Sequence, residues 1–385
     1  VRLTGLNAMD TSRSRQTATG PRLVKGAAFA DTTQAVNAPD DWPVYRGDPG
    51  RSGCTVAAVP AQLKTKGQVD LGASMTPPTV ADGRILVACP DQHRVQALDR
   101  SSGAPAWDFV AGSRVDSAPT VHAGRALFGS RDGHVYLCRL NPRTGELLSE
   151  TPTLKVGPMT SSTSSPEQSN HLPGARSDIL VSDGNYLYLR DMAFTKEGAP
   201  VKAQHPHLFT LTSFLDGSWP HRSYWIFGTD PIIARGSGNG GLGGDITQGR
   251  LLLTAKDHIY GYGRITQHWS NAFRDEAYHL FKRKPDQGKK RGRMNCVWSI
   301  APPMRIRAML LAGDVIFAAG PIIEDPLQPT DGKSAILAAF AAADGKELSR
   351  MPLPAQPVFD GMAAAGGELF LTLEGGKVLC LAGTK

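Results

Sequence analysis

From Thr76 onward, short runs of apolar or β-branched residues alternate with turns rich in Gly, Asp and Ser. RILVAC, RVQAL and ALFG are each too short for a helix of average length and are bounded by turn residues, so they predict strands. The pattern then repeats. TPPTVADGRILVACPDQHRVQALDRSSGAPAWDF (76–109) and SAPTVHAGRALFGSRDGHVYLCRLNPRTGELLSE (117–150) share the same order of features. Pro78 to Pro119 and Gly83 to Gly124 are each 41 residues apart, and Gly103 to Gly145 is 42.

A period of about 40 residues with four short strands per unit is the signature of a β-propeller. Each unit makes a small twisted sheet with two apolar faces, because successive residues of a strand point to opposite sides. Such a sheet cannot bury both faces alone, so units stack around an axis. Trp107 is expected to fill a gap between neighbouring blades. Further copies lie at 178–194, 222–264, 307–350 and 358–383, giving six units, with room for a seventh in 217–269 or 151–176. The expected fold is all-β, a propeller of six to eight four-stranded blades, seven or eight if closed. Residues 1–40 show no periodicity and read as an irregular lead-in; 41–385 read as the propeller.

Composition narrows the function classes. The chain has 385 residues, 41% hydrophobic and 20% charged, with 42 Gly and 28 Pro, which suits many tight turns. No apolar run approaches the roughly 20 residues of a membrane-spanning helix, and no signal peptide is visible in the chain as given. Cys54, Cys89, Cys138, Cys296 and Cys380 are scattered, with no CxxC, so neither a zinc site nor a disulfide framework is expected. The net charge is +7, of which +6 lies in FKRKPDQGKKRGR (281–293). That run reads as a solvated loop, with an anion-binding arm as the alternative: Lys282, Arg283, Lys284, Lys289, Lys290, Arg291 and Arg293.

The unit Pro-x-Val, Gly turn, strand, Asp-Gly turn, Val-x-x-Leu and Thr-Gly resembles that of the PQQ-like (quinoprotein-type) β-propeller repeat proteins. DWPVYRGDPGRSGCT (41–55) is similar to the lead-in that precedes the first such blade. HPHLFTLTSFLDGSWPHRSYWIFG (205–228) and FDGMAAAGGELFLTLEGGKVLCL (359–381) are similar to a bacterial subfamily common in planctomycetes. Those relatives are often long and multi-part, so the resemblance leaves both readings open, a whole protein and a C-terminal portion of a longer one. The resemblance also implies an exported protein, periplasmic or extracellular. Quinone-dependent dehydrogenases of this broad fold hold PQQ on the axis with Ca²⁺, and many cover the quinone with a disulfide between adjacent cysteines. Adjacent cysteines are absent here, and no matching calcium set is placed.

The densest unusual chemistry is His205, His207, Asp216, Trp219, His221, Arg222, Tyr224 and Trp225. Histidines at i and i+2 of a strand share a face, as a metal site needs, while Pro206 and the aromatic content fit blade-edge packing. These eight are the candidate ligand or partner rim. ARGSGNGGLGGD (234–245) lacks the Gly-Lys-Ser/Thr of a phosphate loop, and no G-x-S-x-G or HExxH is present. The expectation is therefore a non-catalytic platform with a protein or glycan partner and no cofactor; nucleic acid is not the expected partner. The alternatives are a PQQ-dependent or other enzyme using the axial funnel, and anion, nucleic-acid or lipid binding through 282–293.

Overall fold

The computed structural model describes residues 37–122, 125–129, 137–140, 147–151, 179–189, 192–201, 205–210, 225–228, 247–264, 278–285, 289–290, 293–323 and 334–384. Among these the only helical element is a 3-10 turn, Pro90–Gln92. Among the described residues there are nine sheets; with two successive hairpins counted as one group and the short hairpin Lys289–Lys290 with Arg293–Met294 set apart, they make seven sequential groups. The first sheet is an antiparallel meander of Thr79–Ala81, Arg84–Cys89, Arg94–Asp99 and Pro105–Val110. Two hairpins follow, Thr120–His122 with Arg125–Leu127 and Leu137–Leu140 with Leu147–Thr151. The third sheet is Leu180–Ser182, Tyr186–Leu189, Met192–Thr195 and Pro200–Val201.

The fourth sheet joins His207–Thr210, Trp225–Gly228 and Thr247–Gly249. The fifth begins one residue later, with Leu251–Thr254, Ile259–Gly263, His279–Arg283 and Trp298–Ile300. The sequence units had merged these two; the boundary falls at Arg250, between a strand that ends at Gly249 and one that begins at Leu251. The sixth sheet is Ala308–Ala312, Val315–Pro321, Ala335–Ala341 and Glu347–Leu353. The seventh takes Pro357–Ala365, Glu368–Leu373 and Lys377–Gly383 from the end of the chain and its outer strand, Leu63–Asp70, from the beginning. Leu63 pairs with Gly383 and Asp70 with Lys377, so an early strand completes the last sheet.

The sixth sheet shows why the units stack. Ala308, Leu310, Phe317, Ala319 and Leu337 belong to one core with residues of the first and seventh sheets. Their neighbours Met309, Leu311, Ile316, Ala318, Ile336 and Phe340 belong to a second core with the fourth and fifth sheets. Strict alternation thus sends successive side chains into two different cores, which is why these strands read as continuous apolar runs. Trp107 departs from the expectation. Every residue of its strand is exposed and the indole is 41% accessible, because this strand is the outer edge of the first sheet. Phe109 instead reaches the second group, with its ring 5.7 Å from that of Phe128.

Candidate functional site

The segment 40–55 is what the first strands of the sheets share. Trp42 exchanges two backbone hydrogen bonds with Val80 of the first sheet, at 2.7 and 2.9 Å. The carbonyl of Pro43 accepts from Val121 of the second group at 2.7 Å, and that of Pro49 from Ser182 of the third at 2.9 Å. Ser52 accepts from Thr254 of the fifth at 2.9 Å, and Gly53 from Leu311 of the sixth at 3.0 Å. Cys54–Thr55 then adds in parallel to Ala308–Ala312. One short segment therefore touches the first strand of five groups. Those strands converge on it.

Arg46 reaches the remaining two. Its guanidinium donates to Asp360 Oδ2 of the seventh sheet at 2.6 Å, to the carbonyl of Leu252, and through Nε to the carbonyl of Arg51 at 2.8 Å. It also lies over the indole of Trp225 in the fourth sheet, 5.0 Å from the ring centroid. The ion pair is nearly sealed, with side-chain exposures of 2% for Arg46 and 4% for Asp360. Tyr45 donates its hydroxyl to the same Asp360 oxygen at 2.8 Å. Burial opposes the Arg46 charge, but Asp360 and Tyr45 outweigh it, and the pKa lies above its ordinary value. Burial, with the Asp360 charge, raises the Tyr45 phenol well above the ordinary tyrosine value. Burial also pushes the Cys54 thiol up to about 12, which disfavours its thiolate.

The backbone here is unusual. Arg46, Arg51 and Asp360 have φ of 60°, 58° and 56°, a left-handed conformation rare outside glycine. Such residues persist where surrounding structure over-determines them. The motif's glycines have direct reasons. Gly53 has φ of +70°, and a Cβ on it would lie 2.6 Å from Leu253 Cδ2. Gly47 has φ of +88° and faces the Trp42 ring at 3.1 Å. The sequence reading saw 41–55 as a lead-in; its Trp, Arg and Gly spacing was the signal of the central piece.

The expected rim divides. His205 is exposed, with its ring 6.1 Å from that of Tyr186. His207 is buried at 3%, stacked on Tyr188 with ring centroids 4.1 Å apart, and its Nδ1 lies 3.1 Å from the carbonyl of His205. Trp225 is 1% exposed beneath Arg46. His207 and Trp225 are thus buried, His207 against the Tyr188 ring and Trp225 beneath Arg46. Asp216, Trp219, His221, Arg222 and Tyr224 lie outside the described residues, as do the Gly-rich stretch 234–245 and the turn at Asp132 and Gly133.

The basic run is also shorter as a loop than expected. Lys282 and Arg283 end a strand of the fifth sheet. Arg283 is fully buried on the same strand face as Phe281. Lys282 Nζ donates to the carbonyl of Ala342 at 3.2 Å and lies 5.4 Å from the Tyr260 ring centroid. Lys284 is exposed. Lys289–Lys290 and Arg293–Met294 form a separate two-stranded hairpin, and Arg291 lies outside the described residues. Cys54, Cys89, Cys296 and Cys380 are free thiols. Among the described residues no helix is long and apolar enough to cross a membrane.

The model of the family described as outer membrane protein assembly factor BamB matches residues 32–191, less than half of the chain. No curated protein matches. The quinohemoprotein alcohol dehydrogenase of Comamonas testosteroni is a similar solved structure, with TM-score 0.50 and 12% identity over 94% of this chain and 83% of that one. BamB of Moraxella catarrhalis gives TM-score 0.41 and 12% identity, covering 84% of this chain and 98% of that one. The computationally designed protein Ika8 gives TM-score 0.41 and 10% identity, covering 81% and 96%. The resemblance to PQQ-like repeat proteins holds, and the β-propeller fold class holds with it.

Proposed function

We propose that the protein is a non-catalytic propeller platform for a protein partner, working outside the cytoplasm. The observation that carries this reading is the occupation of the convergence point by residues 40–55. A calcium ion prefers six to eight oxygen ligands, and a quinone on the axis needs open space. Here Asp360 is taken by Arg46 and Tyr45, and Asp48 of the same segment accepts from Ser52, so neither carboxylate is open to a metal. On this reading the cluster ties the chain together and does not hold PQQ with calcium.

The match to a family of outer membrane assembly factors supports a protein-binding role and an exported location. The platform reading follows from the physics as well. Loops on a rigid ring converge on shared surfaces, while the strands supply only stiffness. Titration of the protein with PQQ and Ca²⁺, followed by calorimetry and by dye-linked oxidation of alcohols and sugars, tests the reading. The expected result is no heat of binding and no turnover. A tight PQQ complex with turnover overturns it.

A further inference from the structure

Sheets that stand around a propeller axis lie closest near it, and the gap between neighbours widens outward. Outer positions therefore need large side chains if the packing is to stay close. Between the sixth and seventh sheets the sizes run the other way. Phe317 is the register partner of Ala339, and Ala339 of Ser349, so one row across three strands shrinks from a ring to a methyl to a hydroxymethyl. The outer strand of the seventh sheet begins with Leu63, and the chain entering it supplies Ala61, again a methyl. A cavity of about 360 Å³ lies between these residues.

Its lining is divided. Phe317, Leu337 and Ala339 are buried and make an apolar floor that belongs to the core shared with the first and seventh sheets. Leu63 and Met351, partly buried, pack against that core as walls. Gln62, Arg350 and Thr384 are exposed, so the cavity opens to solvent on their side. Ser349 donates its hydroxyl to the carbonyl of Ala61, which ties the two sheets across the gap and holds the walls apart at a fixed spacing. Voids larger than a water molecule are few in a packed interior. One of this volume, with an apolar floor and a few polar groups at its mouth, has the size and lining of a small-molecule site.

The mouth selects the ligand's chemistry. Arg350 donates from Nε and Nη2 to Glu347 at 2.8 and 2.7 Å, which fixes the guanidinium there and leaves Nη1 as its further donor. The Gln62 amide and the Thr384 hydroxyl stand beside it as neutral hydrogen-bonding groups. We propose that this cavity binds a small carboxylate with a hydrocarbon or aryl tail of about eight carbons, the tail on Leu337 and Ala339 and the carboxylate at Arg350. Glu347 offsets part of the Arg350 charge, so the tail carries most of the affinity and the arginine sets the orientation. The site goes beyond the platform reading and shares no residue with the cluster at 40–55.

Titration of the full chain with sodium octanoate, followed by methyl NMR and calorimetry, tests the proposal. A ligand of about ten non-hydrogen atoms is expected to bind with Kd on the order of 0.1 mM. Saturable shifts are expected at the methyl signals of Leu63, Leu337 and Met351. Ala339→Leu fills part of the cavity from its floor and is expected to weaken binding at least about tenfold with Tm unchanged or raised. Ala61→Leu, from the opposite wall, is expected to do the same and replaces it if Ala339→Leu does not fold. Arg350→Gln is expected to weaken octanoate about fivefold and to leave 1-octanol unchanged. No saturable shift up to about 5 mM, well above that Kd, overturns the proposal. So do shifts at other cores in place of these methyls, undiminished binding in a folded cavity-filling variant, or equal loss of octanoate and octanol in Arg350→Gln. PQQ titration is unaffected by any of these results, so the two readings fail separately.

Discussion

Arg46 and Asp360 are 314 positions apart in the chain, yet their side chains meet at 2.6 Å in a buried ion pair. The pair binds the segment before the first sheet to the first strand of the last. A buried ion pair is weak evidence of stability on its own, but removing one partner leaves an uncompensated buried charge. Arg46→Met or Asp360→Leu alone is expected to cost about 3–5 kcal/mol in urea unfolding. The double variant is expected to cost less than the sum of the two, and additive losses would show that the charges are not coupled.

Glycine substitutions separate packed turns from open ones. Gly53→Ala places a methyl against Leu253 at 2.6 Å in a positive-φ conformation, whereas Gly83, at φ of +68°, has nothing within 4 Å. Gly83→Ala is expected to cost about 1 kcal/mol, from backbone strain alone. Gly53→Ala is expected to cost about 1–3 kcal/mol more, because the clash adds to the strain. Thermal unfolding of the two variants measures the difference.

Tyr45 gives the alkaline limit. Its folded pKa is raised well above 10.0, so the phenol keeps its proton after the unfolded chain has lost it. The Tyr45 contribution is therefore whole below about pH 10 and declines as pH rises through the interval between the unfolded and folded pKa values. Stability measured from pH 8 to pH 11 is expected to fall less steeply in Tyr45→Phe than in the wild type. Parallel curves would remove Tyr45 from the account.

The two-sided core predicts a contrast within the sixth sheet. Phe317 is fully buried and Leu348 is 41% exposed on the outer strand. Phe317→Ala is expected to cost about 3–5 kcal/mol and Leu348→Ala less than about 1 kcal/mol. Equal effects would mean that the sheet is not packed on both faces.

The repeat at Pro78 and Pro119 was legible because it is local: turn residues and alternation declare a blade within about 40 positions. The role of 41–55 was not, because its partners lie far along the chain. Nothing near Arg46 announces Leu252, Trp225 or Asp360. Arg283 misled for a related reason. In a run of six other cations it reads as solvated, yet strand alternation places it on the buried face with Phe281. His207 and Trp225 carried chemistry in the sequence, and packing against Tyr188 and Arg46 absorbed it.

The central claim is that residues 40–55 are a structural part of the propeller sheets and not a detachable lead-in. Native-state hydrogen exchange at Val80, Thr254 and Leu311 tests it directly, since their N–H groups donate to Trp42, Ser52 and Gly53. The account predicts that these amides exchange only with global unfolding, as slowly as those of the central strands. Exchange at the rate of a frayed terminus, with the rest of the sheets protected, would contradict it.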